Sequence, residues 1–182
     1  MKTAVPLIAL LTMGIVLAPA VRAHDMSTDR LMAFADHLFE TGDYYRAITE
    51  YERVVFFDPD AAAAITARYQ IAMSYYRGGK YSLAARHFRN LAERYPDEAA
   101  GKKAAYMVAE SHYKDDDYRS AIAALGAFLE RYPADPETHP ALILLGRCHL
   151  REGNWKRAAE AFGSSGVMTE LHTNVSGSQA PN

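Results

Sequence analysis

The sequence predicts an all-α solenoid built from four helical hairpins, because one motif recurs along the chain every 37 residues. Its copies start at the turns near Gly42, Gly78, Asp115 and Glu152. A fixed period between about 20 and 50 residues is the signature of repeat architectures, whose units stack on their neighbours. Apolar residues make up 49% of the chain, which is ordinary for a globular protein.

Small, aromatic and proline residues occupy the same register in successive copies. A small residue on each helix lets two backbones approach closely, and an aromatic fills the space beside them. Proline stops the second helix because it lacks an N–H and clashes with the preceding turn. The positions are the small residues Ala35, Ala72, Ala109 and Gly146 on the first helices, Ala47, Ala84, Ala121 and Ala158 on the second helices, the aromatics Tyr44, Tyr81, Tyr118 and Trp155, and Pro59, Pro96 and Pro133.

This register resembles the tetratricopeptide repeat (TPR) family over roughly residues 28–163. The resemblance implies a right-handed superhelix of TPR-type αα-hairpins whose first helices line a concave face. The period exceeds the family's usual length of about 34 residues. Residues 60–69 and 97–106 are rich in helix formers, so we expect an extra helical turn at the start of each first helix.

The lengthened repeats, with their RYPD and RYPAD joints at residues 94–97 and 131–135, resemble those of bacterial periplasmic and outer-membrane-associated TPR proteins. The N-terminal coiled coil of one such group is missing here. So is the lipid-attachment cysteine that another group carries near its leader. The specific function of neither group therefore follows from the resemblance.

Residues 1–23 read as a signal peptide, with Lys2 before an apolar run over residues 5–17 and a small-residue cleavage site ending at Ala23. Cleavage after Ala20 and an uncleaved inner-membrane anchor are the alternatives. Either outcome predicts an exported protein, periplasmic in a Gram-negative host. We expect the array over residues 27–163, with repeats at about 28–59, 61–96, 98–133 and 139–163, and a flexible tail over 164–182.

The last repeat is short, since its second helix is expected to end at Gly163 and the residues that follow are mostly small and polar. A solenoid usually closes with a polar capping element. We therefore expect Trp155, Ala159 and Phe162 to be partly exposed. The alternatives are a tail that packs back on the array, a partner or second copy docked at this end, and a sequence that stops short of its cap.

Carrying the family's groove positions onto this sequence residue by residue predicts a binding stripe along the first helices. Tyr69 and Tyr76 are seven residues apart, as are Tyr106 and Tyr113, so each pair shares a helix face. Tyrosine offers apolar area with a polar group, and methionine adapts its shape, which suits an extended peptide. Packing between repeats is the alternative role for these tyrosines. The predicted groove residues are Met32, Asp36, Phe39, Glu40, Tyr69, Met73, Tyr76, Arg77, Lys103, Tyr106, Met107, Glu110, Tyr113, Lys114, Ile143, Arg147 and Arg151.

No motif in the sequence predicts catalysis, a cofactor or a metal site. A formal charge of −2 gives no indication of a nucleic-acid partner, and no small-molecule substrate is expected. The single cysteine, Cys148, is expected to be a small buried filler. His112 and His149 share one repeat position, which favours packing over metal ligation.

These observations predict an exported, non-catalytic scaffold or adaptor that binds a peptide segment or partner protein in its concave groove, in a bacterial envelope complex. One alternative is a structural subunit of an envelope assembly that uses the exposed fourth-repeat end. An alternative of another class is a helper that binds cell-wall glycan through the tyrosines.

Overall fold

The computed structural model describes residues 28–59 and 61–165, and within them the chain is helical with no strand, which confirms the predicted all-α hairpin fold. The signal-peptide prediction and most of the predicted tail lie outside the described residues. The helices are α1 (Thr28–Glu40), α2 (Tyr44–Phe57), α3 (Ala62–Arg77), α4 (Tyr81–Arg94), α5 (Ala99–Lys114), α6 (Tyr118–Arg131), α7 (Thr138–Arg151) and α8 (Trp155–Ser164).

The turn inside each hairpin places one residue in the left-handed region, always at the same register. These residues are Gly42 (φ 82°), Gly79 (φ 71°), Asp116 (φ 58°) and Gly153 (φ 75°). Glycine adopts this conformation without steric penalty, and aspartate is one of the few other residues that tolerate it. The turns are therefore one repeated structure with a single substitution in the third copy.

The extra residues lengthen the first helix of the second and third repeats, as predicted, whereas in the fourth repeat α7 has only 14 residues and follows a longer joint at residues 132–137. Helices α3 and α5 have 16 residues each, whereas α4 and α6 have 14 each. The joint between α4 and α5 occupies only residues 95–98. The added length is therefore helix rather than loop, and it enlarges the surface that the first helices offer.

The apolar core is divided into three clusters in the described residues, each built from one hairpin and the first helix of the next. The small repeat positions are buried where these helices cross: Ala35, Ala47, Ala72, Ala84, Ala109 and Ala121 are all 0% exposed. Tyr51, Phe88 and Leu125, four residues after the second-helix alanines, fill the space between helices and are also fully buried. Each hairpin is therefore stabilised mainly by packing against the next hairpin in the array.

The fourth hairpin uses Gly146 at the small position because a ring occupies the space. A Cβ atom added at Gly146 would lie 2.5 Å from the ring of Phe162. Phe162 is half-buried and Ala159 is exposed, in line with the expected partial exposure of this end.

The aromatic that opens each second helix packs edge-to-face on an aromatic near the end of the preceding first helix. The pairs are Phe39–Tyr44, Tyr76–Tyr81 and Tyr113–Tyr118, with centroid distances of 5.6, 5.5 and 5.7 Å. The fourth repeat has Leu150 in place of the first ring, and Trp155 is 70% exposed. Among the described residues the Trp155 ring has no aromatic partner at this register, so it does not fill the gap that the three tyrosines fill. Its exposure agrees with the exposure expected at this end of the array.

The helices form two rows. Among the described residues each first helix contacts the first helix of the next hairpin (α1 with α3, α3 with α5, α5 with α7), whereas the second helices make no such contact with one another. The first helices therefore form the close-packed inner row and the second helices the separated outer row. No helix within residues 28–59 and 61–165 is long and apolar enough to span a bilayer.

Ser74, Ser111 and Cys148 occupy one buried register position on the first helices. The serine hydroxyls donate to the carbonyl oxygens of Gln70 and Met107 at 2.8 and 2.7 Å. Cys148 is fully buried, and burial raises the pKa of its thiol to about 11. The thiol therefore stays protonated near neutral pH, which agrees with its expected role as a buried filler.

Buried histidines make the stability of the fold depend on pH. Burial is the main cause that lowers the pKa of His87, His112 and His149 below 6.5, and His149 is only 6% exposed with no hydrogen-bond partner for its Nδ1 atom among the described residues. Below pH 6.5 the unfolded chain therefore binds protons that the folded chain does not, so the free energy of unfolding falls as the pH falls.

We expect the urea midpoint to decrease between pH 7.5 and pH 5, and His149→Phe to make this decrease smaller by removing one titrating group. His37→Phe is the matched control, because it makes the same chemical change at an exposed histidine. Circular dichroism at each pH measures the midpoints. A slope for His149→Phe equal to that of the unchanged protein would contradict the assignment.

Candidate functional site

A groove of about 260 Å³ opens between α5 and α7 on the inner row. Helices α5 and α7 lie side by side, although α6 and the joint at residues 132–137 separate them in the sequence. Helix α5 contributes aromatic and charged residues, and α7 contributes aliphatic residues and a cation. The lining residues are Tyr106, Glu110, Tyr113 and Lys114 from α5, and His139, Pro140, Ile143, Leu144 and Arg147 from α7.

Glu110 is the acidic residue in the lining of the groove, and it also links the groove to α3. Its Oε1 atom accepts a hydrogen bond from the hydroxyl of Tyr76 on α3 at 2.9 Å, so α3 and α5 are joined across the repeat boundary. Burial, together with the nearby charge of Glu110, raises the pKa of Tyr69 and of Tyr106 to about 12. Both hydroxyls therefore stay protonated well above neutral pH.

The predicted stripe continues from the groove along α3. The ammonium of Lys103 lies 5.7 Å from the centroid of the Tyr69 ring, a distance suited to a cation–π contact. Tyr69 also packs against the buried ring of Phe88 at 5.5 Å. Tyr76 and Tyr113 belong to the edge-to-face pairs described above, so these tyrosines support the repeats and also face the inner row.

The structure places the other predicted groove residues in three settings. Arg77 is exposed at the end of α3, and Arg151 is exposed at the end of α7, where its guanidinium lies 5.0 Å from the Tyr118 ring. Met32, Phe39 and Met73 are half-buried against the core clusters. Met107 is 7% exposed inside the second cluster and is not among the residues that line the groove, so we exclude it.

His139, Pro140 and Leu144 line the groove although the sequence analysis did not include them in the predicted set. The repeat period carried a signal for two of them, because Pro140 and Leu144 occupy the registers of Lys103 and Met107, which were predicted. His139 and Pro140 belong to the first turn of α7, so this turn forms one end of the groove. Within the described residues no group of three or more His, Cys, Asp or Glu side chains is arranged to hold a metal ion.

These features define a TPR-type solenoid scaffold, an architecture typical of protein–protein interaction and generally non-catalytic. A sequence profile of the YfiO family, described as outer membrane lipoprotein, matches residues 61–158. The chain belongs to this family, which confirms the resemblance to lengthened envelope TPR repeats. No curated protein sequence matches the chain.

Solved structures with the same fold include other repeat proteins. The chain has 23% identity to MamA (residues 41 to the end) from Desulfovibrio magneticus RS-1, with a TM-score of 0.63, covering 81% of this chain and 77% of that one. It has 12% identity to a putative kinesin light chain from Podosopora anserina with nearly identical TPR-like repeats (TM-score 0.61, covering 82% and 78%). The apo form of RapI has 11% identity (TM-score 0.67, covering 85% and 60%). At these identities the similarity establishes the fold alone.

Proposed function

We propose that the chain is an exported, non-catalytic adaptor that binds an extended peptide segment of a partner protein in the groove between α5 and α7. The observation that carries this proposal is the arrangement of the groove itself. Tyr106 and Tyr113 lie with Ile143 in an opening on the inner row, next to exposed Lys114 and Arg147. The aromatic and aliphatic surfaces suit apolar side chains, and the two cations suit a carboxylate.

The fold keeps this groove formed before a ligand arrives. Helix α5 is held by α3, α4, α6 and α7, and the Tyr76–Glu110 hydrogen bond ties it to the preceding repeat. A preformed site loses little conformational entropy when a peptide docks, which favours affinity. The groove residues would therefore act as a fixed platform on which the partner segment adopts an extended conformation.

An envelope location is part of the same proposal. Its support is the predicted leader, with Lys2 before the apolar run at residues 5–17, and membership of a family described as outer membrane lipoprotein. Cell fractionation with mass spectrometry of the mature N-terminus tests it directly. Recovery of an unprocessed chain in the cytosol would contradict export.

Charge reversal at the groove tests the binding mode. A photo-crosslinking amino acid at position 143 identifies the partner segment in intact cells, and a synthetic peptide of that segment is then titrated by fluorescence anisotropy. We expect Lys114→Glu with Arg147→Glu to weaken binding by a factor of about 10 to 100, because both cations face the peptide's carboxylates. Tyr76→Ala with Tyr113→Ala should weaken it by a similar factor or more, since losing anchor aromatics typically costs about 2 kcal/mol or more.

Lys156→Glu is the matched control, because Lys156 is an exposed cation on the outer helix α8. It should leave the affinity unchanged. Unchanged affinity in both groove variants would place the peptide elsewhere and overturn the assignment of the groove. Circular dichroism of every variant separates loss of binding from loss of folding.

A second candidate function is a structural role in an envelope assembly through the end of the fourth repeat. The observation that favours it is the exposure of Trp155 (70%) and Leu150 (38%) on neighbouring helices. Trp155→Glu should then abolish incorporation into the assembly, whereas the groove charge reversals should not. Incorporation that survives Trp155→Glu would exclude this role.

A further inference from the structure

A larger groove, of about 370 Å³, lies on the outer side of the array, between the second helices α4 and α6. Its apolar lining includes Ala105 and Val108 of α5 and Ala123, Ala124 and Ala127 of α6. Arg89 and Glu93 of α4 and Arg131 of α6 are its charged lining residues. This volume falls in the lower part of the range of about 300–1,000 Å³ seen for ligand pockets.

The groove exists because methyl groups replace long side chains at this repeat boundary. One repeat earlier, Ala105, Ala123, Ala124 and Ala127 correspond to Arg68, Arg86, His87 and Asn90, and the fifth alanine of the groove, Ala92, corresponds to Val55. His87 stacks on Tyr75 with a centroid distance of 4.8 Å and so covers the equivalent surface between α2 and α4. The apolar opening is therefore a property of the second and third hairpins and not of every boundary in this array.

Two exposed phenylalanines at the end of α2, here called the projection, lie one repeat before this groove. Phe56 and Phe57 end α2 with 80% and 62% of their surfaces exposed, and their rings pack edge-to-face at 5.7 Å. The next two repeats carry Glu-Arg at this register, at residues 93–94 and 130–131. Phe56 has the register of Glu93, which lines the outer groove, so projection and groove lie on the same side of the array.

The net charges around the two features are opposite in sign. Exposed Glu52 and Asp58 lie beside the phenylalanine pair, and the one nearby cation on α2, Arg53, is paired with Glu50 at 2.7 Å. The groove is lined by two cations, Arg89 and Arg131, and by one acid, Glu93. A projection with acidic neighbours thus matches an apolar groove with basic edges.

We propose that the occupant of the outer groove is the Phe56–Phe57 pair of a second copy of this chain, in a two-fold symmetric dimer. Each copy presents both features on its outer side, so a two-fold axis forms the same contact twice. The contact removes two exposed rings from water and brings Glu52 and Asp58 near the partner's cations. The inner groove between α5 and α7 stays open in this dimer, because the contact uses only the outer row.

Sedimentation velocity of the full chain, expressed with its leader and purified, tests the proposal. We expect a concentration-dependent monomer–dimer equilibrium below about 100 μM. Two variants that copy the second repeat should each give monomers: F56E/F57R restores the residues of positions 93–94, and A123R/A124H restores those of positions 86–87. Tyr45→Ser, which removes another exposed aromatic and copies Ser82, should leave the equilibrium unchanged.

Mixing the two monomeric variants supplies a sharper test. Each mixed pair retains one intact projection and one intact groove, so a heterodimer with a single contact should form, weaker than the original dimer. Circular dichroism confirms that the variants fold.

Three outcomes would overturn the proposal. They are a chain that stays monomeric throughout the range, a dimer that persists in both variants, and growth into larger oligomers, which would indicate an open head-to-tail contact. The peptide-groove variant K114E/R147E should dimerise normally, so failure of either proposal can be recognised independently of the other.

Discussion

Phe88→Ala is expected to lower the free energy of unfolding by about 4 kcal/mol, since deleting a buried phenylalanine ring typically costs about 3–5 kcal/mol. Phe88 is fully buried in the central cluster, where its ring also contacts Tyr69 at 5.5 Å. The cavity would lie between α3, α4 and α5, which limits how far the surroundings can collapse into it. Urea unfolding followed by circular dichroism measures the loss.

Phe162→Ala is the matched comparison, because Phe162 occupies the same register at the end of the described array and is only half-buried. Less surface is removed from water there, so we expect about half the loss, roughly 2 kcal/mol. Equal losses at the two positions would show that the fourth hairpin is packed as tightly as the second. That result would contradict the partial exposure of this end.

Gly101→Ala is expected to destabilise the protein by about 3 kcal/mol, although alanine normally favours a helix. Gly101 lies in the first turn of α5, and an added Cβ atom would lie 1.7 Å from the carbonyl oxygen of Tyr95. That carbonyl already accepts the backbone N–H of Glu98 at 3.2 Å within the joint, so relief requires the joint itself to move. The thermal midpoint of unfolding should fall accordingly.

Gly126→Ala makes the same chemical change with the opposite expected sign. Gly126 is exposed inside α6, and a Cβ atom there would meet nothing within 4 Å. Removing a flexible residue from a helix interior should therefore raise the free energy of unfolding by about 0.5–1 kcal/mol. If Gly101→Ala also increased the stability, the backbone of the joint at residues 95–98 would be able to move away from the new Cβ atom at little cost, and the prediction for Gly101 would be wrong.

The repeat register was sufficient to predict the helices, their pairing and the small contact positions. Ala47 and Ala84 could be identified because the same residue type returns at a fixed interval, and burial follows from the crossing of two helices at that point. The extra turn of α3 and α5 followed from residues that favour helix between two fixed markers. Both predictions combined the repeat period with a local preference, for small residues at helix crossings or for helix-forming residues.

The groove was only partly predictable, because neighbouring residues on one helix point about 100° apart. Tyr106 lines the opening while Met107, the next residue, is buried, and the sequence contains no signal that separates them. Gly101 was included in a segment rich in helix formers, and its close approach to the Tyr95 carbonyl depends on how the joint folds back. The outer groove could not be predicted from composition. It arises where alanines replace the longer side chains that stand at the same register one repeat earlier.

The division of the interior into neighbour-to-neighbour clusters has a consequence for how this chain comes apart. A hairpin at either end can fray without dissolving the middle, since the first and third clusters share no residue. Occupancy of the α5–α7 groove would then protect the third and fourth hairpins while leaving the first free to open. A ligand in the groove should therefore slow amide hydrogen exchange in the third and fourth hairpins without slowing it in the first.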